Sequence, residues 1–266
     1  VIISGGIDLA VGSTLVAIGA IVMVLIDSSG RGLLAAFGIS GGSAYCIAIV
    51  LGLAAGLLLG EFTGIIVTAG KIPPFIATLG TMKICRSVTQ QFMQGYNPAV
   101  PSPFLEIANA QIAGQMIMPI VYWLVFAYAL YVVSKKTAFG RHVYAVGSNE
   151  QAAKLSGINV YTVKRRVYAL MGLLVTVASV LQVSRIGAMD FANAGSGYEM
   201  DAIASVIVGG TSMSGGRGSV GGTVLGVLII AVMNNLLNLL GVPPFLREAC
   251  KGVIVIGAVL LQKKEA

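Results

Sequence analysis

The sequence predicts an all-α, polytopic transmembrane helical bundle with some broken or short helices. Three observations carry this. Only 10% of the residues are charged, while 56% are hydrophobic and the mean hydropathy is +0.90; a soluble domain carries about a quarter charged residues. The apolar residues gather into runs that approach the roughly 20 needed to cross about 30 Å of hydrocarbon. Basic residues crowd some gaps between those runs and avoid others, the asymmetry that orients helices in a membrane. A formal charge of +7 and a pI near 9.4 would also suit a nucleic-acid binder. The charges sit between membrane segments, however, so orientation among membrane lipid accounts for them and no nucleic acid is implied.

The chain opens with VIISGG, inside an apolar segment and with neither Met nor a basic leader, which reads as an N-terminally truncated fragment. Apolar runs follow at residues 9–26, 44–60, 116–133, 169–183, 220–240 and 252–261, with weaker, interrupted ones at 72–92 and 202–210. Ahead of the first stands GGIDLA. Asp8 there is either an N-cap accepting N–H bonds at the helix start or part of a helix break that offers backbone groups to a solute. Gly52, Gly56 and Gly60 fall four apart, as do Gly222 and Gly226. Such spacing lets helix backbones approach, although glycine is also frequent in membrane helices that make no close contact. IPPFIA at 72–77 and VPPFLR at 242–247 put a Pro pair where a helix starts and a missing N–H costs nothing.

Charge sets the orientation. Between residues 134 and 166, Lys135, Lys136, Arg141, Lys154, Lys164, Arg165 and Arg166 face a single acid, Glu150, which places that loop in the cytoplasm. Residues 93–115 hold no Lys or Arg, and 185–201 hold Arg185 against Asp190, Glu199 and Asp201; both belong outside. The basic tail QKKEA belongs inside, so residues 201–262 cross an odd number of times, and three crossings fit with TSMSGGRGS as an inner turn. By the same parity 61–71 is cytoplasmic. The helices opened by the two Pro pairs then run in opposite directions, an echo expected of an inverted repeat and also of chance.

The longest polar segment is GRHVYAVGSNEQAAKLSGINVYTVKRR at 140–166. Ser148 is placed to cap the N–H of Gln151, Ala152, Ala153 and Leu155 offer a small apolar face, Glu150 sits in the first turn, and Gly157 is a stop signal. A two-turn helix is unstable alone in water. It needs a surface, which is either a partner protein or its own bundle and the headgroups.

Other chemistry is missing. Cys46, Cys85 and Cys250 lack C-x-x-C spacing and read as apolar packing, and His142 is the one His, so no metal site is indicated. Gly210 and Gly215 have the G-x-x-x-x-G spacing, but Gly216 and Arg217 stand where a phosphate loop requires Lys and Ser/Thr. No H-E-x-x-H or carboxylate pair on one membrane helix occurs, so no catalytic residue is expected. Asn234, Asn235 and Asn238 lie in an apolar run, and Asn234 and Asn238 share a helix face. Amides at that depth either line a polar path or hydrogen-bond to another helix.

SGGIDLAVGS (4–13), GRHVYAVGSNEQAAKLSGI (140–158), GSGYEMDAIASVIVGGTSMSGGRGSVGGTVLG (195–226) and NNLLNLLGV (234–242) resemble, in order, the membrane permease subunits of bacterial ABC monosaccharide importers of the ribose-permease type. The resemblance implies a single transmembrane permease domain over 1–266 in the bacterial plasma (inner) membrane. It implies that an N-terminal tail, one helix and most of a second precede these residues. Such a subunit is not an enzyme and holds no cofactor: ATP and Mg would sit on a separate ATP-binding subunit. The further partners implied are a periplasmic sugar-binding protein, a second permease copy in a homodimer or heterodimer, and a small sugar of the ribose, xylose or galactose kind, moved inward by alternating access.

The family's coupling segment contacts the ATPase through G-x-N-x-x-A-A-x-x-S-G-I. Carried over, this places Gly147, Asn149, Ala152, Ala153, Ser156, Gly157 and Ile158, with Ser148, Glu150 and Leu155 among them, in a cytoplasmic coupling loop at 134–168. Asp8, Asn234, Asn235 and Asn238 are then the translocation-path candidates, and Arg185 and Glu199 the candidates for touching the external binding protein. Two other functions stay open, the first because related permeases share this architecture. One is an ABC permease for another small polar solute, such as a branched-chain amino acid. The other is an ion-coupled secondary transporter, for which only Asp8 and Asp201 qualify as intramembrane carboxylates.

Overall fold

A helix that is apolar all round has no side to turn to solvent, and α1 (Val11–Ile26) is buried accordingly, with Ile18, Val22 and Met23 completely enclosed. The computed structural model describes residues 1–111 and 114–263; the last three residues of the basic tail, expected inside, lie outside the described ones. Among the described residues every regular element is helical, twelve α-helices and a 3-10 turn at Ile2–Ser4. The chain folds into two compact units, one of residues 8–125 and 164–196, the other of 1–7, 126–163 and 197 onward.

In the first unit α1 packs against α3 (Gly42–Thr68) and α4 (Pro74–Met93), with the short α2 (Leu33–Ala36) and α5 (Ser102–Asn109) in its connections. The glycine ladder is a real seam. Gly52, Gly56 and Gly60 of α3 meet Thr176, Gly172 and Tyr168 of α9 (Val160–Ile186) in antiparallel order, and a Cβ on Gly56 would lie 2.6 Å from the Gly172 carbonyl oxygen. Thr176 uses the close approach, donating to Gly172 O at 2.9 Å and to Gly52 O at 3.3 Å. Glu61 and Arg165 pair near one end of this seam. Both helices run 27 residues, about 40 Å, beyond the expected runs 44–60 and 169–183. The polar turns at their ends stay helical because the neighbouring helix supports them, which hydropathy does not register.

The second unit holds α7 (Ala138–Ser148), α8 (Glu150–Leu155), α10 (Tyr198–Val208), α11 (Val220–Leu239) and α12 (Pro244–Lys263); α6 (Met118–Lys136) contributes residues to both units. Gly222 and Gly226 of α11 press against the carbonyls of Gly209 and Ser205 at and beyond the end of α10, a second small-residue seam. Lys251 of α12 pairs with Asp201 of α10 at 2.8 Å and with Glu248 at 2.9 Å.

Four helices among the described residues are long and apolar enough to cross a membrane: α3, α6, α9 and α11. At 11 residues, about 16 Å, α10 does not cross alone, so the crossing expected at 202–210 is not made by a spanning helix. Helices α4 and α12 have 20 residues each but carry Lys83, Arg86, Arg247, Glu248 and Lys251. Both Pro pairs do open helices, α4 and α12. The expected Asp8 cap is displaced: the N-cap of α1 is Ala10, without a side-chain bond, and Asp8 Oδ1 instead accepts from Ala10 N at 2.9 Å in the non-helical stretch before it. Of the cysteines only Cys85 is buried, while Cys46 is exposed.

Candidate functional site

The polar segment folds as an elbow of two helices. Thr137 starts α7, its Oγ1 accepting from Gly140 N at 3.1 Å and donating to Val133 O at 2.6 Å. Helix α7 runs through Ser148. That residue's helical backbone removes it from the capping position expected of it, and Asn149 takes over: its Oδ1 accepts from Ala152 N at 2.9 Å, making it the C-cap of α7 and the N-cap of α8 at once. Glu150 in the first turn and Lys154 in the last complement the helix dipole. Gly157 ends the element at φ +81°, with Gly157 N bonded to Lys154 O and Ile158 N to Ala153 O, as a left-handed glycine stop does.

The small apolar face divides. Ala153 is 4% exposed and packs inward with Val146 and Val163, against Val143, Ala145, Ile158 and Val160. Leu155 is 90% exposed. Ala152, Ser148, Asn149, Glu150, Ser156 and Gly157 are exposed with it, so the elbow presents one large apolar side chain within a polar rim.

Its seat is built from backbone. A Cβ on Gly147 would strike Ile3 O and lie 2.7 Å from Gly216 N, and Gly216 N itself donates to Ile3 O at 2.9 Å. Gly216 has φ +71°, and a Cβ there would come 2.5 Å from Ser148 Cα. Tyr144 reaches the same turn, its hydroxyl donating to Gly218 O at 2.9 Å, while Lys135 stands over the Tyr144 ring at 5.5 Å; burial pushes the Tyr144 phenol up from its ordinary pKa. The glycines of TSMSGGRGS thus have a use that their resemblance to a phosphate loop concealed. They let residues 211–219 lie against the elbow.

The other candidates are more dispersed. Asp8 is partly buried in one unit; Asn234 is half-buried and Asn235 and Asn238 are exposed in the other. Asn238 Oδ1 accepts from Arg247 at 3.1 Å, so its amide joins α11 to α12. Arg185 is exposed at the end of α9, where its carbonyl accepts from Asn109, and Glu199 is half-buried in the first turn of α10. No His/Cys/Asp/Glu group among the described residues could hold a metal.

One arrangement escaped the sequence reading. Asp27, buried at the end of α1, accepts from Ser29 N at 2.9 Å, Ser29 Oγ at 2.7 Å, Ala99 N at 2.8 Å and Tyr96 Oη at 2.5 Å. Burial alone would raise its pKa, but the bonds from Tyr96, Ser29 and Ala99 outweigh it and hold the carboxyl at about 2. Burial and the bond to Asp27 push the Tyr96 phenol up to about 12. Ser29 is local, but Tyr96 and Ala99 lie 69 and 72 residues away, and no local signal could have found those two.

The family described as "Branched-chain amino acid transport system / permease component" matches residues 1–260. The chain belongs to this family of permease components. Curated relatives are permease proteins too. Ribose import permease protein RbsC of Bacillus subtilis (strain 168) is 42% identical across 100% of this chain and 79% of its own length. Probable ABC transporter permease protein YphD of Escherichia coli (strain K12) is 42% identical over 71% of this chain and 57% of its own. Galactose/methyl galactoside import permease protein MglC of the same strain is 37% identical over 81% and 66%. No solved structure matches the chain. The permease is a multi-pass protein of the bacterial inner membrane and a transport subunit of an ABC importer rather than an enzyme.

Proposed function

We propose that this permease carries a monosaccharide of the ribose, xylose or galactose kind into the cytoplasm, by alternating access driven from a separate ATP-binding subunit that holds ATP and Mg. A periplasmic sugar-binding protein delivers the solute, and a second permease copy, identical or related, completes the path. Relatives named for ribose and galactose import favour a sugar over a branched-chain amino acid, despite the wording of the family description. The observation that carries the mechanism is the elbow: Leu155 stands exposed on a helix whose far side is sealed by Ala153 and whose base is fixed by Gly147 against Ile3 and Gly216. A force on α8 therefore passes through backbone contacts rather than being absorbed by side-chain motion.

In this reading residues 134–168 are cytoplasmic and the rim from Gly147 to Ile158 receives the ATPase. Asn234 and Asn235, with Asp8, line the path. Asn238 is shared between the path and its bond to Arg247, and Arg185 and Glu199 face the binding protein.

Leu155→Glu tests the docking role. Because Leu155 is 90% exposed, the substitution removes almost no internal packing and the permease should stay within about 0.5 kcal/mol of its original stability. Co-purification of the ATP-binding subunit should fall at least tenfold and uptake with it. Normal co-purification would overturn the assignment. Ala153→Glu is the contrasting control, since a carboxylate at that buried position should unfold the elbow in the permease alone, by about 3 kcal/mol or more.

A further inference from the structure

The end of α4 carries a polar face with no part in the elbow. Ser87, Gln90, Gln91 and Gln94 recur at i, i+3, i+4 and i+7, the spacing of one helix side. That side and the turn at 95–97 face residues 189–192 across a cavity of about 600 Å³, within the roughly 300–1,000 Å³ of small-molecule sites. The opposite wall is tethered. Gln90 Nε2 donates to Ala192 O at 3.2 Å, and the Arg86 guanidinium to Ala192 O at 3.3 Å and Ala194 O at 2.6 Å. Buried Met93, Met189 and Phe191 supply apolar lining.

The lining is nearly free of charge. Among the described lining residues the one ionised group is Asp190, and its carboxylate accepts from Ala192 N at 3.0 Å, Asn193 N at 3.3 Å and Asn193 Nδ2 at 2.8 Å within its own turn. An ionic solute would find little to pair with. Neutral amides can each donate and accept, as a sugar hydroxyl does, and an apolar wall suits the C–H face of a ring.

We propose that this cavity is a waystation for a polyhydroxylated solute, a monosaccharide held by Gln91, Gln94 and Asn97 over Phe191. It rests on the monosaccharide reading above and adds a place. The two segments that meet here, 93–115 and 185–201, are the two that charge asymmetry assigns to the outside, so the cavity lies where solute released by a binding protein arrives. The amides of Gln91 and Gln94 are exposed, which suits a site that must release what it takes.

The test uses the complete importer, permease with ATP-binding subunit, in liposomes supplied with binding protein loaded with radiolabelled D-ribose, D-xylose or D-galactose. Gln91→Leu with Gln94→Leu should lower uptake at least tenfold while ATP hydrolysis stimulated by the loaded binding protein stays within twofold, and Gln91→Asn with Gln94→Asn should recover half or more of the uptake. Unchanged uptake in the Leu variant overturns the proposal. Stimulation lost in parallel with uptake makes the surface a docking face for the binding protein and also overturns it. If the double variant does not assemble, Gln94→Ala carries the same comparison, with at least a threefold loss expected and no loss overturning it. Should the unaltered importer move none of the three sugars, the monosaccharide reading fails and the waystation with it; sugar transport by both unaltered and Leu forms defeats the waystation alone.

Discussion

At Gly147 backbone meets backbone, with Ile3 O and Gly216 N occupying the space a side chain would need. At Asp27 a single carboxylate gathers four donors from two segments, one of them distant. Both junctions hold non-helical chain in place, yet they fail in different ways. The first depends on the absence of atoms, so it is indifferent to pH and intolerant of one methyl group. The second depends on charge and tolerates any condition that keeps the carboxylate ionised and the Tyr96 phenol protonated. The coupling role proposed for the elbow suits the first kind, because backbone contacts do not rearrange by rotamer.

The largest expected effect breaks the first junction. Gly147→Ala places a Cβ against two backbone atoms that cannot step aside, and overpacking of that kind should cost roughly 3 kcal/mol. Thermal unfolding in detergent should show the loss equally at pH 7 and pH 4. A variant as stable as the original would mean that Ile3 and residues 211–219 do not seat the elbow.

Next comes Asp27→Asn, which should cost about 2 kcal/mol near neutral pH, the value of lowering a buried carboxyl from its ordinary range to about 2. The folded pKa is depressed, so the stabilisation is present above about pH 4 and fades as pH falls through 2. Melting temperatures measured from pH 6 down to pH 2.5 should therefore narrow the gap between the original protein and the Asp27→Asn variant. For Tyr96 the sign reverses: its folded pKa is raised to about 12, so its contribution holds below about pH 10 and is lost as pH rises through 12. Parallel acid curves for both proteins would remove Asp27 from this role.

The smallest effect separates conformation from contact within the elbow itself. Gly157 has φ +81°, and a Cβ there would meet nothing within 4 Å, so Gly157→Ala should cost only ~1 kcal/mol of left-handed strain and Gly157→Asn less. A loss as large as that at Gly147 would show that the stop is packed rather than merely turned.

Much of the helical plan could be read from composition and spacing. Periodic glycines marked α3 and α11 as able to take a close neighbour, since small residues at one helix position in four permit that approach, but not which helix would fill the place. The Pro pairs marked the starts of α4 and α12, and Gly157 the end of α8. The short helix within 140–166 was legible because its polarity interrupts an oily chain. Its cap was legible only as a choice between two adjacent residues: Ser148 and Asn149 are both good caps, and the length of α7 decides between them.

The features legible in the residues alone are thus local. Apolar runs long enough to span, small residues spaced for contact and residues that begin or end helices all act within one or two turns, where their physics is complete. Tertiary structure decided which side each residue faces and which distant atoms it meets. Ala153 turns inward and Leu155 outward although both belong to one apolar set; glycines that resemble a phosphate loop form the bed of an elbow; Asp27 finds Tyr96 and Ala99, which lie 69 and 72 residues on. Those outcomes rest on space filling and hydrogen-bond satisfaction between segments far apart in the chain, and neither leaves a periodic trace in the segments themselves.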